Sequence, residues 1–298
     1  VVGHENGAVV LERGRAQRTT PKTVWNRPAH RSGEHGTRLL KSFLPGRTFP
    51  FPKSLYAVED ALRLATADKP NAVVVDFFVG SGTTTHALAR LNRQDGGHRQ
   101  SITITNNEVS DDEASRLASM GARPGDSAWE RLGIFENITR PRVESAFTGL
   151  TPEGEPVKGG YKFTDEFPFA EGFEESVRFF ELQYLDVEAV ALDQAFAAVA
   201  PMLWMRAGSN GPMLVESINS AGYRKPYVLS SQYAVLFNPD RWRSFVDKLG
   251  PNLSHVFVVT DSASEFANVV AELPNGVEAV RLYENYLSTF TINTGQTS

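Results

Sequence analysis

The 298-residue sequence predicts an α/β protein with two α/β domains, and three observations carry that prediction. Residues 73–105 have the order strand, glycine loop, helix and strand that defines a βαβ unit. Strand and helix candidates alternate again between residues 213 and 282, which favours a second α/β unit. The length also fits two domains of about 150 residues each.

The first βαβ unit begins with three valines at 73–75, a pattern typical of a strand buried on both faces of a parallel sheet. A loop with two glycines follows at 76–82, and a helical stretch follows at 86–93. Gly96 is placed to adopt the left-handed conformation that ends many helices. The second strand of the unit is expected at 101–105.

A further helix is predicted just before this unit. From Ser54 onward, apolar residues recur at spacings of three and four, as on one face of an amphipathic helix. Ser54 is a suitable N-cap, and Pro70 stops the run.

The pattern divides the chain into a basic arm at 1–53, a first core at 54–150, a linker at 151–160 and a C-terminal α/β accessory domain at 161–298. The linker is inferred from its Gly and Pro content. Residues 161–184 are aromatic, and we expect core packing there rather than stacking on nucleic-acid bases. The aromatic residues are Tyr161, Phe163, Phe167, Phe169, Phe173, Phe179, Phe180 and Tyr184.

The accessory domain is expected to open with a helix at about 186–206, judged by its apolar periodicity. Ser262 and Glu265 form a capping-box pattern at the start of the last predicted helix. The predicted strands are 213–218, 233–237, 256–260 and 277–282, and the predicted helices are 241–249 and 264–273.

The composition excludes several classes of protein. The absence of cysteine excludes disulfides and Cys-ligated zinc or iron–sulfur centres, and it fits a cytoplasmic protein. None of the six histidines pairs with another at the i, i+4 spacing of a helical metal site, so no metal site is predicted. No apolar run of about 18 residues is present, which excludes a membrane-spanning segment.

The net charge of −5 hides an uneven distribution. Residues 1–53 contain ten Lys and Arg residues against three acids, whereas residues 54–298 contain twenty against thirty-two. A basic arm of this kind either faces a polyanion such as DNA or is a solvated surface segment.

The glycine loop at 76–82 brings backbone N–H groups close to a ligand at the start of a helix. A dinucleotide fingerprint is disfavoured because Thr85 occupies the third glycine position, which argues against a nicotinamide-dependent oxidoreductase. No lysine follows for a P-loop, and Val79 replaces the first glycine of a nucleophile elbow. A tight turn without a ligand is the remaining alternative. Glu108, after the second strand, is placed to accept hydrogen bonds from ribose hydroxyls.

At these residues the sequence resembles a known family. Residues 76–84, Asp-Phe-Phe-Val-Gly-Ser-Gly-Thr-Thr, resemble motif I of the amino-group DNA methyltransferases, and residues 49–55 resemble their motif X. Residues 91–99 are similar to the LN…DGG.R stretch of type III restriction–modification adenine methyltransferases. Trp25 and Gly36-Thr37 resemble the VW…GT approach to motif X in that group. Motif X before motif I is the order of the permuted β class.

The resemblance implies a partial Rossmann-like methyltransferase fold that binds S-adenosylmethionine through residues 54–150. Motif I residues would line the methionine end of the cofactor, motif X residues would close over it, and Glu108 would hold the ribose. Phe77 and Phe78 have core packing as their alternative role. The implied cofactor-binding residues are Phe51, Pro52, Lys53, Asp76, Phe77, Phe78, Gly80, Ser81, Gly82, Thr83 and Glu108.

The sequence lacks the family's catalytic tetrad, [DNS]-P-P-[YFW], so no catalytic residue is assigned. The most similar segment, residues 238–241, lacks the second proline and the aromatic residue. In the β class this tetrad precedes motif X, so we expect it upstream of Val1 and expect the chain to be inactive alone.

Two functions remain open. The first is adenine methylation in double-stranded DNA, with cytosine as the less favoured base and with a restriction subunit or a second copy as possible partners. The second is a non-catalytic module that binds DNA or assembles a restriction complex.

Overall fold

The structure is a computed structural model that describes residues 24–182, 196–215 and 225–282, together with two short strands near the N-terminus. It contains two compact units, Val1–Phe179 and Phe180–Ser298. The strands are β1 (Gly3–Glu5), β2 (Ala8–Val10), β3 (Val73–Asp76), β4 (Gln100–Thr103), β5 (Tyr227–Leu229), β6 (Tyr233–Leu236), β7 (His255–Val258) and β8 (Glu278–Arg281). The α-helices are α1 (Leu39–Phe43), α2 (Leu55–Thr66), α3 (Thr83–Asp95), α4 (Asp111–Ser119), α5 (Ser127–Glu130), α6 (Arg140–Thr148), α7 (Phe196–Arg206), α8 (Trp242–Val246) and α9 (Ala263–Val270).

The βαβ unit predicted from the sequence is present in the first unit. Strands β3 and β4 pair in parallel, with Val73 opposite Gln100 and Asp76 opposite Thr103. Helix α3 connects them and ends at Gly96, whose φ of 70° is left-handed as predicted. The carboxyl end of β3 therefore leads directly into the glycine loop and the N-terminus of α3.

Strand β3 is less buried than the sequence predicted. Val73 and Val75 are 54% and 49% exposed, and Ile102 and Ile104 are also exposed. Among the described residues, β4 is the strand that pairs with β3. The expectation of burial on both faces is therefore wrong, because the described sheet leaves one of its apolar faces uncovered.

Helix α2 begins where the sequence predicted. The Ser54 hydroxyl accepts a hydrogen bond from the Ala57 N–H (3.5 Å) and donates one to the Ala29 carbonyl (2.7 Å). These contacts cap the helix and give a physical reason for serine after Lys53.

A π-helical segment at Gly33–Arg38 packs against residues 52–53. A Cβ on Gly36 would collide with the backbone carbonyl of Pro52. Glycine at this position therefore allows the two backbones to approach closely, which fixes where residues 52–53 lie.

Arg90 of α3 is the centre of the first unit's polar core. Its side chain is fully buried, and its Nε donates to Glu59 Oε2 of α2 at 2.7 Å. The same guanidinium donates to three backbone carbonyls in a segment that curls around it. These carbonyls belong to Lys162, Thr164 and Asp165.

The boundary of the first unit lies later than the predicted linker at 151–160. Val157 is buried in the same core as α2 and α3, and the first compact unit continues to Phe179. Four of the aromatic side chains after residue 160 complete that core, as predicted, whereas Phe163 and Phe180 are exposed, against the prediction. The buried ones are Tyr161, Phe167, Phe169 and Phe173.

The second unit is an α/β layer structure. Its sheet has the order β5-β6-β7-β8, with β5 antiparallel and β6, β7 and β8 mutually parallel. Apolar residues of α7 pack on one face of the sheet, and residues of α8 and α9 pack on the other. This matches the predicted alternation, although β5 was not expected and residues 213–215, predicted as the start of a strand, are not in one.

The predicted capping box in α9 forms in part. Ser262 Oγ accepts from the Glu265 N–H at 3.3 Å. The Glu265 carboxylate instead accepts from the Thr260 hydroxyl at 2.6 Å, and that hydroxyl accepts from the Ser262 N–H.

Several expectations lie outside the described residues. They concern Tyr184, residues 186–195, most of the basic arm before residue 24, and the end of the strand expected at 213–218. None of the helices within the described ranges is long and apolar enough to cross a membrane.

We expect Glu59→Gln to lower the free energy of unfolding by about 3 kcal/mol, because it leaves the buried Arg90 cation without its carboxylate. Urea titration followed by circular dichroism measures this. Glu113→Gln is the control, because its ion pair with Arg116 is exposed and should contribute less than about 1 kcal/mol. Equal losses in the two variants would contradict the central role of Arg90.

We also expect Gly36→Ala to lower the free energy of unfolding by about 1–3 kcal/mol, because the added methyl group overpacks against Pro52. Gly33→Ala, in the same π-helical segment, has open space around its Cβ and should be neutral or slightly stabilising. Thermal unfolding of both variants measures the difference. An unchanged Gly36→Ala protein would show that the two backbones can separate without cost.

Candidate functional site

The glycine loop after β3 has a defined hydrogen-bonding pattern. Asp76 Oδ1 accepts from the Phe78 N–H at 3.1 Å, and Oδ2 accepts from the Thr84 hydroxyl at 2.6 Å. Gly80 and Gly82 have φ values of 53° and 78°, in the left-handed region that favours glycine. The aspartate and the two glycines together set the shape of the turn that begins α3.

The buried side of the loop is held by α6 and the residue before it. Thr139 Oγ1 donates to the Gly80 carbonyl at 2.5 Å. Arg142 Nη1 donates to the Ser81 carbonyl (3.1 Å), to Ser81 Oγ (2.8 Å) and to Thr83 Oγ1 (2.8 Å). The Ser81 and Thr83 side chains, predicted as cofactor residues, therefore point toward α6.

Burial controls the ionisation of this region. Desolvation lowers the pKa of Arg142 to about 10, so the guanidinium stays charged at neutral pH. Desolvation, helped by Arg142 and Arg90, holds the pKa of His86 well below its ordinary value. Burial also raises the pKa of Tyr161, which lies 2.7 Å from His86 Nε2. The imidazole and the phenol are therefore both neutral at pH 7.

The exposed side of the loop carries aromatic rings. Phe77 and Phe78 are 65% and 90% exposed, so their alternative role as core residues is excluded. Phe51 is 97% exposed and has a φ of 50°, which is rare for a bulky residue and marks a strained backbone. Exposed rings on two strained or tightly turned segments are typical of a binding surface rather than of packing.

The two predicted motifs lie next to each other. The Phe49 ring lies 3.3 Å from the position of a Cβ built on Gly80. An open cleft of about 580 Å³ is lined by Lys53, Ser54 and Thr84, with one apolar face of α2 as its wall. Pro52, next to Lys53, is buried. The structure therefore brings together the residues that were predicted separately from motif X and motif I.

Of the predicted site residues, Lys53 lines this cleft, and Glu108 is among those that do not. Its side chain is exposed, and Oε2 accepts from Asn106 Nδ2 at 3.2 Å. Its backbone carbonyl accepts from the Ile134 N–H at 2.9 Å. The main chain around Glu108 is thus anchored while its carboxylate stays accessible.

Sequence reasoning missed the residues that hold the loop from behind. Thr139 and Arg142 lie about sixty residues after the loop, and no local pattern marks them as its partners. Arg142 follows Pro141 near the start of α6, where a basic side chain is ordinarily assigned to the surface. Its burial is visible only in the folded structure.

The described residues contain no cluster of three or more His, Asp or Glu side chains that could hold a metal ion. The site thus consists of a half-buried carboxylate, backbone groups of a glycine loop, exposed aromatic rings and a lysine. Such a set can bind a ligand with an amino group and an aromatic ring.

Comparison with known proteins identifies relatives of this site. Residues 5–116 match a family model described as DNA methylase, of the N6/N4 methyltransferase type. The Mod subunit of the type III restriction-modification enzyme EcoPI, from Escherichia phage P1, is 28% identical over 233 residues, which cover 77% of this chain and 34% of that protein.

Two further relatives are similar over a shorter range. The type II methyltransferase M.KpnI from Klebsiella pneumoniae is 33% identical over 105 residues, covering 35% of this chain and 24% of its own length. The StyLTI Mod subunit from Salmonella typhimurium is 34% identical over 108 residues, covering 35% of this chain and 16% of its own length.

The chain spans about a third of the EcoPI Mod subunit and smaller fractions of the other two relatives. The matched range contains motif X, the glycine loop and the βαβ unit. The resemblance drawn from the motifs is thereby confirmed: residues 5–116 are similar to the N6/N4 DNA methylases.

Proposed function

We propose that this chain is the cofactor-binding part of a DNA methyltransferase. It would serve the transfer of a methyl group from S-adenosylmethionine to the exocyclic amino group of adenine, with cytosine as the alternative base. The observation that carries the proposal is the glycine loop fixed by Asp76, next to the cleft lined by Lys53, within the range that matches DNA methylases.

The residues present fit this cofactor. The cleft of about 580 Å³ lies within the usual ~300–1,000 Å³ range of small-molecule sites. The accessible Asp76 carboxylate suits an amino group, and the exposed rings of Phe51, Phe77 and Phe78 suit stacking on an adenine ring. We propose that the cofactor is held by the side chains of Phe51, Lys53, Asp76, Phe77, Phe78 and Glu108 and by the backbone of Pro52, Gly80, Ser81, Gly82 and Thr83. The Ser81 and Thr83 hydroxyls are bound by Arg142 instead.

The chemistry at this site is an in-line displacement. S-adenosylmethionine, when bound, would supply the methyl group to the amino nitrogen and leave as S-adenosylhomocysteine, and the amino proton would pass to water. The chain's own contribution is to fix the donor with the glycine loop and to exclude water with the exposed rings. The target base must leave the duplex to reach this donor.

The proposed partners are a restriction subunit and double-stranded DNA, and they rest on the relatives and on the positive charge of the basic arm. The EcoPI match covers 77% of the chain, more than the first unit alone, so the similarity reaches into the second unit. That protein is named as a Mod subunit of a restriction-modification enzyme, and we propose a restriction subunit as a partner of this chain. We further propose double-stranded DNA as substrate, a homodimer as the assembly, and the cytoplasm as the compartment.

We propose that three parts of the chain have separate roles, as the sequence predicted, with a later start for the accessory part. We assign DNA contact to the basic arm at 1–53 and cofactor binding to residues 54–150. The accessory role that the sequence assigned to residues 161–298 belongs to the second unit, which begins at Phe180.

We expect the chain to bind S-adenosylhomocysteine in isothermal titration calorimetry, and Asp76→Ala to bind at least about tenfold more weakly, a loss of about 1.4 kcal/mol. The variant removes both the carboxylate and its bonds to Phe78 and Thr84. Asp112→Ala is the control, because Asp112 is exposed on α4.

Two results would contradict the proposal: absence of S-adenosylhomocysteine binding by the wild-type chain, or equal binding by the Asp76→Ala variant. DNA binding without S-adenosylhomocysteine binding would instead support the non-catalytic module. Tight binding of a nicotinamide dinucleotide would support an oxidoreductase.

The exposed cations of the basic arm generate a separate prediction. Arg31, Arg38 and Lys41 are exposed at the start of the first unit. If each contacts a phosphate, replacing all three by Gln reduces the slope of log K against log salt by about 2.7, since each contact contributes about 0.9. Fluorescence anisotropy with a labelled duplex at several salt concentrations measures the slope.

The control for this measurement replaces three other exposed arginines of the same unit, Arg116, Arg123 and Arg131, by Gln. It removes the same charge, so a purely global effect of net charge would lower the slope equally in both variants. Equal slopes in the two variants would therefore assign the arm to solvated surface.

A further inference from the structure

All of the hydrogen bonds that the Arg142 side chain donates go to residues of the glycine loop and the start of α3. Its side chain has no solvent exposure, and Nη1 donates to two atoms of Ser81 and to Thr83 Oγ1 at 2.8–3.1 Å. Ser81 and Thr83 are themselves buried. The contact therefore lies behind the loop, on the side away from the exposed Phe78 ring.

The charge of Arg142 is not explained by stability. Within the described ranges no carboxylate lies at ion-pair distance from this guanidinium, and its Nε and Nη2 atoms have no hydrogen-bond partner. A buried cation without a carboxylate is unfavourable, and well-packed apolar side chains of similar volume often stabilise such positions better. Arg90, equally buried, differs because Glu59 neutralises it.

The loop needs an external support because its own backbone does not restrict it. Ser81 lies between Gly80 and Gly82, which are both left-handed and free of side-chain constraints. Arg142 fixes the carbonyl and hydroxyl of Ser81, and Thr139 fixes the carbonyl of Gly80. Both supports come from the start of α6, so that helix sets the conformation of the loop.

We propose that Arg142 is a positioning residue for the methyl donor. By holding Ser81 and Thr83, its guanidinium keeps the glycine loop in the conformation that joins Asp76 to Thr84, and Thr84 lines the cleft. The inference rests on the proposed function, because it assigns to Arg142 the preorganisation of that cofactor site.

The experiment compares S-adenosylhomocysteine binding and unfolding in the full chain and its Arg142 variants. Arg142→Met keeps the length of the side chain and removes the donors. It is expected to weaken binding at least tenfold in calorimetry, while its urea unfolding midpoint stays equal or rises. Arg142→Lys keeps a charge and one donor group, and it should recover part of the affinity. Hydrogen exchange at residues 80–83 should be faster in the Met variant.

Arg140→Gln is the matched control, since Arg140 lies two residues away on α6 and pairs with exposed Glu136 and Glu144. It should bind like the wild type. Wild-type affinity in a folded Arg142→Met protein overturns the positioning role and leaves the proposed function intact. If the Met variant does not fold, unchanged affinity in folded Arg142→Lys overturns it equally. A wild-type chain that does not bind S-adenosylhomocysteine overturns both proposals.

Discussion

The first unit depends on the buried ion pair between Arg90 and Glu59. One charge lies on α3 and the other on α2, so the pair fixes the two helices that enclose the core. The guanidinium also donates hydrogen bonds to three backbone carbonyls within residues 162–165. These bonds hold the aromatic segment over that core. Because the glycine loop begins α3, the position of the candidate site follows from this pair.

The two buried arginines of the first unit differ in what their charge does. Arg90 has a carboxylate and backbone acceptors, so its burial is compensated and contributes to cohesion. Arg142 has acceptors only on the glycine loop, so its burial stabilises one conformation of a flexible turn. Stability and site geometry are thereby assigned to different residues, which lets the two be separated by substitution.

Local features of the fold could be predicted from the sequence, because they depend on residues that are near one another. The left-handed cap at Gly96, the Ser54 cap and the order of β3, α3 and β4 belong to this class. The linker at 151–160 was misassigned because its Gly and Pro content does not reveal that Val157 is buried. The burial of Arg142 and the exposure of Phe78 depend on contacts with distant segments or on their absence, which composition does not encode.

The way Arg90 is coordinated has a consequence for how the sequence can vary. Its acceptors at residues 162, 164 and 165 are main-chain carbonyls, which every amino acid supplies. The contacts to Arg90 do not depend on the side chains there as long as the backbone keeps its course, which includes left-handed conformations at Phe163 and Asp165. The Phe163 ring packs edge-on against Tyr56, so this side chain has a separate role. A truncation placed before the segment would remove the carbonyls that the buried Arg90 requires.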